Sequence, residues 1–356
     1  MSEEKTPILK VRDLVVKFRV RNRELTAIRS VSLDLFDGET LAIVGESGSG
    51  KTVLTKTFTG MLESNGRIPA GSIEFEGRDL LTIKTDKDWE AIRGAKIATV
   101  FQDPMTSLNP LKKIGAQITE VIEKHQKLPA EEAKRIALQL MEKVGIKDVA
   151  KRFYDYPFQY SGGMRQRIVI AIALACKPRI LICDEPTTAL DVTIQAQILD
   201  LIRALQKDYG FTTIYITHDL GVVANVADRV AVMYAGQIVE HGSVREIFYD
   251  PRHPYTWALL SSLPTLARKD EALFAIPGTP PTLFNEIVGD AFAPRNHYAL
   301  NIDFQEEPPF FQVSPTHFAK TWLLDPQAPA ADPPEAVKLM RKKGNIYVES
   351  GAEGSK

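Results

Sequence analysis

The residues best suited to chemistry lie in the segment GESGSGKT, residues 45–52. Its spacing matches the pattern G-x-x-x-x-G-K-[ST], in which glycines let backbone N–H groups surround phosphate oxygens without a Cβ atom in the way. Lys51 would reach the β- and γ-phosphates, and the hydroxyl of Thr52 would bind Mg²⁺. A flexible Gly/Ser turn is the simpler alternative. The apolar strand before the segment and the helical pattern that starts near Lys51 favour a phosphate site.

A second group of polar residues ends the segment ILICDEP, residues 180–186. Ligands gather at the carboxyl ends of parallel strands, where the phosphate loop is also expected to lie. Asp184 is suited to hold Mg²⁺ through its water shell, and Glu185 could reach a water molecule aimed at the γ-phosphate. Such residues can also simply lead a strand into solvent, so this prediction depends on the phosphate loop in the same chain.

His218 in ITHD and Gln102 in VFQDP also follow apolar segments. A single histidine is more often structural than catalytic, but one at this edge of the sheet could contact the γ-phosphate. The amide of Gln102 could contact Mg²⁺ or the attacking water. The sequence therefore predicts that both side chains join the phosphate site.

A second potential anion site lies in YSGGMRQR, residues 160–167, directly before the apolar run IVIAIALAC. Ser161 would cap a buried helix over about residues 164–176. Gly162 and Gly163 would leave the N-terminal amides of that helix open to an anion. These residues alone leave two interpretations: an anion site, or an ordinary serine cap with glycines for close packing.

The scaffold for these side chains is predicted to be α/β. Residues 31–36 and 72–76 alternate apolar and polar side chains, which is typical of an antiparallel sheet with one wet face. Amphipathic helices are expected over residues 131–144 and 194–208, each followed by a glycine. Segments that are apolar throughout predict parallel strands buried on both faces; these are LAIV (41–44), IATVF (97–101), ILIC (180–183), IYIT (214–217) and VAVM (230–233).

The composition is that of a protein with a full core: 356 residues, 44% hydrophobic and 25% charged. Lys plus Arg number 44 and Asp plus Glu number 45, so the basic surface of a nucleic-acid binder is not expected. The two cysteines, Cys176 and Cys183, argue against a disulfide framework and fit a cytosolic protein. The N-terminus does not resemble a signal peptide, and the longest uncharged apolar run, IVIAIALAC, is shorter than a membrane span. We therefore expect a role at a membrane to require a partner.

The motifs occur in the order phosphate loop, VFQDP, YSGGMRQR, ILICDEP, ALD and ITHD. This order resembles that of the ATP-binding cassette (ABC) ATPases over roughly residues 8–260. The resemblance implies a P-loop NTPase (RecA-like) fold: a parallel-sheet core, an N-terminal antiparallel β subdomain, a helical subdomain inserted at about 103–175, and a C-terminal extension. We expect the ATPase domain over residues 1–261 and the extension, with a disordered tail, over residues 262–356.

The resemblance also assigns roles to residues. In ABC ATPases two cassettes pack head to tail, and the signature motif of one grips the γ-phosphate bound by the phosphate loop of the other. By this resemblance Glu185 is the general base, His218 the switch histidine and Gln102 the Q-loop glutamine. Phe18 would stack on adenine, and Asp191 is the D-loop aspartate. The implied ATP-binding residues are Phe18, Gly45, Glu46, Ser47, Gly48, Ser49, Gly50, Lys51, Thr52 and Val53; the signature residues are Ser161, Gly162, Gly163 and Gln166; the Mg²⁺ ligands are Thr52, Gln102 and Asp184.

Further segments, among them THDLGVVA, VMYAGQIVE and DPRHPYTWALLSSLP, are similar to the dipeptide and oligopeptide branch of bacterial ABC importers. The likeness extends to the D-type (Ami-type) ATPase subunits of oligopeptide permeases, and IPGTPP opens their C-terminal extension. Many members carry G-C-x-F-x-P-R-C there, and the cysteines bind an iron–sulfur cluster. This chain has GDAFAPRN, with Asp290 and Asn296 in place of the cysteines, so no cluster is expected.

The resemblance implies an ATPase that uses ATP and Mg²⁺ to energise oligopeptide import from the cytoplasmic face of the bacterial membrane, as a peripheral subunit. The implied partners are a second homologous ATPase subunit in a heterodimer, two transmembrane permease subunits and an extracellular peptide-binding protein. No nucleic-acid partner is expected. The sequence does not identify which peptides are carried.

Three alternatives remain open on the sequence. Importers for nickel or opines share the HPYT region. A soluble ABC ATPase acting on DNA or ribosomes usually has two cassettes, a coiled-coil insertion or a basic surface, none of which this sequence indicates. A regulatory nucleotide-binding subunit is the third alternative, against which the intact Glu185 and His218 argue.

Overall fold

The computed structural model describes residues 6–188, 190–263 and 276–343. The predicted disordered tail, ESGAEGSK at residues 349–356, lies outside the described residues. The strands are β1 (Pro7–Val20), β2 (Arg23–Phe36), β3 (Thr40–Val44), β4 (Gly66–Phe75), β5 (Arg78–Asp79), β6 (Ile97–Val100), β7 (Ile180–Asp184), β8 (Thr212–Thr217), β9 (Arg229–Tyr234), β10 (Gln237–Ser243), β11 (Phe311–Gln312) and β12 (Phe318–Ala319). The helices are α1 (Lys51–Phe58), α2 (Asp86–Glu90), α3 (Pro104–Ser107), α4 (Ile114–Gln126), α5 (Ala130–Lys143), α6 (Val149–Arg152), α7 (Gly162–Leu174), α8 (Val192–Tyr209), α9 (Leu220–Val226), α10 (Val244–Tyr249) and α11 (Pro254–Ser261).

A mixed sheet lies at the centre of the molecule, with the strand order β11-β12-β10-β9-β3-β8-β7-β6. Strands β9, β3, β8, β7 and β6 run parallel to one another, as their uninterrupted apolar sequences predict. Both faces of this sheet are buried. In β3, Leu41 and Ile43 join one hydrophobic cluster, and Ala42 and Val44 join another on the opposite face. The predicted α/β architecture is confirmed.

A second sheet, antiparallel and ordered β2-β1-β4-β5, packs on one of these faces. Its apolar residues, such as Leu33 and Ile73, share a cluster with Leu41 and Ile43 of the central sheet. The residues between them turn outward, so the alternation predicted for an antiparallel sheet is confirmed.

Helices α3 to α7 lie between β6 and β7 in the chain, and α5 and α8 are close to their predicted bounds. Helix α7 begins at Gly162, earlier than predicted, because Ser161 Oγ accepts a hydrogen bond from the Met164 N–H at 3.3 Å. It ends at Leu174, before Lys177, whose φ of +52° is not helical. Among the described helices, none is both long and apolar enough to cross a lipid bilayer.

The C-terminal extension joins the central sheet, because β12 pairs with β10 and β11 pairs with β12. Next to this pairing, the buried Glu240 Oε1 contacts His317 Nε2 at 2.7 Å. Phe292 is 2% exposed and packs against Tyr234 and Tyr255, with ring centroids 5.3 Å from each. These contacts hold the extension to the cassette in a chain that lacks the cluster cysteines. The boundary between the two expected domains stays a prediction.

Asp290, which by the resemblance stands in place of a cluster cysteine, is buried. Its Oδ1 accepts a hydrogen bond from the Phe292 N–H at 2.9 Å, and its own N–H donates to the Asp303 carbonyl at 2.7 Å. Burial raises the pKa of Asp290 from 3.8 to about 6, because the charged form loses its hydration.

We predict that Asp290→Asn stabilises the protein at pH 7.5 by about 2–3 kcal/mol and by roughly half as much at pH 5. The folded-state pKa lies above the unfolded value, so the wild-type protein loses stability as pH rises from 3.8 to about 6. The amide removes this dependence and can still accept the Phe292 hydrogen bond. Urea unfolding at the two pH values is the measurement.

The matched control is Asp86→Asn, whose side chain is 97% exposed. Because surface substitutions usually change stability by no more than about 0.5 kcal/mol, it should give no gain comparable to that of Asp290→Asn at pH 7.5. A gain from Asp290→Asn that is equal at both pH values would contradict the prediction.

Candidate nucleotide-binding site

The loop between β3 and α1, residues 45–50, has the form of a phosphate cradle. Gly45 and Gly50 have φ angles of +150° and +101°, which side chains rarely allow. A Cβ atom on Gly45 would lie 2.0 Å from the Met233 carbonyl oxygen, and one on Gly50 would lie 2.8 Å from that of Ala27. Glycine at both positions therefore lets the loop stay close to the sheet, and α1 begins directly after it.

Lys51, the first residue of α1, lies inside this loop and is 6% exposed. Its Nζ donates to the carbonyl oxygens of Gly45 at 2.8 Å and of Glu46 at 2.9 Å. Burial lowers the pKa of Lys51, and the negative charges of Glu185 and Asp184 oppose this effect. The ammonium group is therefore bound to backbone oxygens that the oxygens of a phosphate group could replace.

Two oxygen atoms suited to a hard cation lie side by side where β7 ends. Thr52 Oγ1 donates to Asp184 Oδ1 at 3.2 Å. Burial raises the pKa of Asp184 because the charged form loses hydration. A nearby cation would oppose this effect and favour the charged form. Among the described residues, no cluster of three or more acidic, histidine or cysteine side chains could hold a metal ion. This pair fits Mg²⁺, which binds through one or two protein oxygens together with phosphate oxygens and water.

Glu185 connects the side chains predicted to be catalytic. Its Oε1 lies 3.0 Å from His218 Nδ1, and its Oε2 accepts hydrogen bonds from Gln102 Nε2 at 3.0 Å and Thr188 Oγ1 at 2.9 Å. Burial alone would raise the pKa of Glu185, but the hydrogen bonds from His218 and Thr188 hold it below its ordinary value of 4.5. Glu185 is therefore a carboxylate at neutral pH. The structure brings these side chains together from separate segments, and their catalytic roles stay predictions.

A cavity of about 960 Å³ joins the phosphate loop to Glu185, within the usual size of a ligand pocket. The predicted residues that line it are Phe18, Ser47, Gly48, Gly50, Lys51, Thr52, Val53, Gln102, Asp184, Glu185 and His218. Gly45, Glu46 and Ser49 belong to the loop without lining the cavity, and the Glu46 N–H donates instead to Tyr255 Oη at 2.8 Å. The lining residues that sequence reasoning missed are Leu25, Ala27, Thr188, Thr282, Leu283 and Phe284.

Phe18 in β1 borders this cavity and is 9% exposed. Its ring packs on Gly66 of the paired strand β4, where a Cβ atom would lie 2.8 Å from the ring. The part of the ring that stays uncovered faces the cavity. This position is compatible with the predicted contact to adenine.

The signature segment lies outside the cavity, since no described lining residue belongs to it. Ser161 is exposed where α7 begins. A Cβ atom on Gly163 would lie 2.7 Å from Ile194 Cγ2, so the start of α7 packs against the start of α8. Asp191 caps α8 by accepting a hydrogen bond from the Ile194 N–H at 3.1 Å. A signature segment that binds the nucleotide of another subunit must lie outside the nucleotide cavity of its own chain. The position of Ser161 meets this requirement.

Gln166 stays a predicted nucleotide contact, but it differs in exposure from the other signature residues. Its side chain is buried, with 1% of the residue exposed, whereas Ser161 is exposed and Gly162 and Gly163 are half-buried. The reason is the position of α7, which is buried on nearly all sides beyond its first turn. The accessible part of the signature therefore consists of the cap and the two glycines.

Sequence reasoning also missed a contact between the extension and the phosphate loop. Arg295 donates through Nη1 to Glu46 Oε2 at 2.7 Å and through Nη2 to Glu46 Oε1 at 3.0 Å. The side chain of Arg295 is 5% exposed, and its Nε donates to the Pro277 carbonyl at 2.7 Å. Because two-point contacts of this kind fix geometry as well as add energy, the extension holds the loop that surrounds Lys51. No signal in the sequence links the two residues, which lie 249 positions apart.

Comparisons with known proteins agree with this geometry. Residues 28–188 match the family described as ABC transporter. The dimeric ATP-binding cassette MJ0796 in a post-hydrolysis state, bound to ADP and Pi, is 26% identical with a TM-score of 0.59 and covers 66% of this chain and 98% of its own. The cassette cbiO1 from Clostridium perfringens, part of the ABC transporter complex cbiONQ, is 29% identical with a TM-score of 0.60 and covers 69% and 92%. The chain is therefore an ATPase of the ABC class.

The C-terminal residues of the chain identify a family within the ABC class. Residues 239–302 match the family described as oligopeptide/dipeptide transporter, C-terminal region. The oligopeptide transport ATP-binding protein AmiE of Streptococcus pneumoniae is 66% identical over 343 residues, covering 96% of this chain and 97% of its own length. OppD of Bacillus subtilis is 58% identical over 345 residues, with 96% of each chain covered. The chain belongs to the family of oligopeptide and dipeptide transport ATP-binding proteins, so the predicted family and P-loop fold are confirmed.

We predict that Arg295→Met and Glu46→Gln each destabilise the protein and that their effects are not additive. A charge-assisted contact contributes on the order of 1.5–3 kcal/mol, and Arg295→Met also leaves the Glu46 carboxylate without its partner. The double variant should therefore lose less stability than the sum of the single variants. Urea unfolding of all four proteins measures this coupling energy.

The surface pair Arg67 and Glu24 is the matched control, since 58% and 49% of these side chains are exposed. Its coupling should be smaller than that of Arg295 and Glu46, because water screens an exposed pair. Losses at Arg295 and Glu46 that add within about 0.5 kcal/mol would show that these two side chains do not stabilise each other.

Proposed function

We propose that ATP hydrolysis by this chain energises the import of oligopeptides across a bacterial cell membrane. The observation that carries the proposal is the Glu185 carboxylate, held by His218 in the same cavity as Lys51. Oligopeptides as the cargo are supported by the names of AmiE and OppD, which resemble this chain over nearly its whole length.

Glu185 acts in this proposal as the general base. Its lowered pKa keeps Glu185 ionised at neutral pH, as a base must be, and both of its oxygens are held in place by neighbouring side chains. Water loses this proton as its oxygen bonds to the γ-phosphorus, and the bond from that phosphorus to the β–γ bridging oxygen breaks. The products are ADP and phosphate.

The phosphate groups are bound by the loop and by Lys51, whose charge offsets the charge that develops on their oxygens. Thr52 and Asp184 would hold Mg²⁺, with Gln102 as the further ligand that the family resemblance implies. When bound, this ion neutralises charge on the phosphate oxygens.

A second homologous ATPase subunit, in a heterodimer, is the proposed partner at the open side of the cavity. Support comes from Ser161 and the glycines after it, which lie at an accessible helix N-terminus outside the cavity of their own chain. Their amides are free to bind the γ-phosphate held by the partner. ATP binding would thus favour the closed dimer, and hydrolysis would remove that preference.

The further partners in this proposal are two transmembrane permease subunits and an extracellular peptide-binding protein. The family supports them, because AmiE and OppD are named as ATP-binding proteins of peptide transport. ATP is a cytoplasmic substrate, so the proposed location is peripheral, at the cytoplasmic face of the membrane. Affinity purification from membranes should recover two permeases and a second ATPase, and recovery with ribosomes or DNA instead would overturn the importer function.

We predict that Glu185→Gln keeps ATP binding but lowers the rate of hydrolysis by ~10²–10⁴. The amide retains the shape of the side chain and can still contact His218, but it cannot accept the proton from water. Phosphate release by the assembled transporter and equilibrium binding of ATP are the two measurements.

The matched control is Glu131→Gln, an exposed residue of α5 that does not line the cavity. Its turnover should equal that of the wild type. Near-normal turnover in Glu185→Gln would reject the assignment of the base.

A further inference from the structure

A segment of the C-terminal extension, Thr282–Phe284, forms part of the wall of the nucleotide cavity. It lies more than 200 positions after the phosphate loop in the chain, and it lines the same cavity as Lys51. Leu283 also packs against the larger hydrophobic cluster of the cassette. The extension is therefore part of the surface that a bound nucleotide would meet.

Three contacts from the start of β2 hold this wall in place. The Thr26 N–H donates to the Leu283 carbonyl at 2.9 Å. Arg23 Nη2 donates to Asn285 Oδ1 at 3.0 Å, and the Arg23 guanidinium lies 4.9 Å from the centre of the Phe284 ring. A backbone bond, a side-chain bond and a cation–π contact thus fix three consecutive residues against one strand.

The cavity has a polar and an apolar end. The polar end contains Lys51 and the carboxylates of Asp184 and Glu185 at the end of β7, which suit the phosphates and their counter-ion. The apolar end contains Phe18 and Leu25 from the N-terminal sheet and Phe284 from the extension. A nucleoside triphosphate has the same division, with a flat apolar base at one end and charged phosphates at the other.

We propose that Phe284 contacts the base of the bound nucleotide, and that the extension thereby supplies part of the base-binding wall opposite the phosphate loop. This inference rests on the proposed nucleotide site. Phe18 and Phe284 come from opposite ends of the chain, so base binding requires the extension to be docked. The affinity for ATP then depends on the Phe284 ring, while the affinity for the phosphate chain alone does not.

The experiment compares Mg²⁺ complexes of a non-hydrolysable ATP analogue and of inorganic tripolyphosphate, titrated into the full-length protein by calorimetry. Phe284→Ala should raise the Kd of the ATP analogue by about 5- to 150-fold, the range for removing an aromatic that stacks on a base. It should leave the Kd of tripolyphosphate unchanged. Phe284→Tyr, which keeps the ring, should bind both ligands as the wild type does.

Phe304→Ala is the matched control, because Phe304 belongs to the extension, is 54% exposed and does not line the cavity. Arg23→Met is the second variant, and it should weaken binding of the ATP analogue alone, since Arg23 holds the wall without lining the cavity. An equal loss for both ligands, or no loss for either, in Phe284→Ala would overturn the proposal. If the wild-type protein bound neither ligand, the nucleotide site itself would be rejected, which is a different result.

Discussion

Parallel strand pairing in the central sheet is the constraint on which the candidate site depends. Val44 at the end of β3 pairs with Thr217 of β8, and Asp184 at the end of β7 pairs with Ile216 of β8. The phosphate loop, the two carboxylates and His218 therefore leave the sheet at one level. Reversing any of these strands would carry the side chains at its carboxyl end to the opposite end of the strand, about 17 Å away. The energy that fixes this register comes from apolar side chains on both faces, none of which takes part in the chemistry.

The phosphate loop and the acids after β7 could be predicted because their signals are local. A buried strand, a glycine turn and a helix start lie within about 20 residues, and the strand period and the glycine positions can be read directly from the sequence. The same holds for Ser161, whose capping role depends on the backbone of the next turn. The burial of Gln166 could not be predicted from local signals in the sequence. The residue lies in the same segment, but its exposure depends on which elements surround α7, and this is a property of the tertiary structure.

The contribution of the extension could not be predicted for the same physical reason. Arg295 ends a single 3₁₀ turn and Phe284 lies outside any helix or strand, and their partners are more than 200 positions away. Composition and spacing indicate that a segment is irregular, but they do not indicate which surface it covers. In the structure, the buried Arg295 binds Glu46 of the phosphate loop, and Phe284 lines the cavity that this loop borders. The segment predicted as a C-terminal extension thus lines the candidate nucleotide cavity.

The two short strands of the extension also change how the central sheet meets solvent. Strand β12 pairs with Glu240 and His241 of β10, and β11 lies outside it. Without this cover, β10 would expose a row of free N–H and C=O groups that could pair with the strand of another molecule. The outermost strand has two residues, Phe311 and Gln312, which is too short to serve as a template. The extension therefore places a strand of two residues, in place of the seven residues of β10, at this edge of the described sheet.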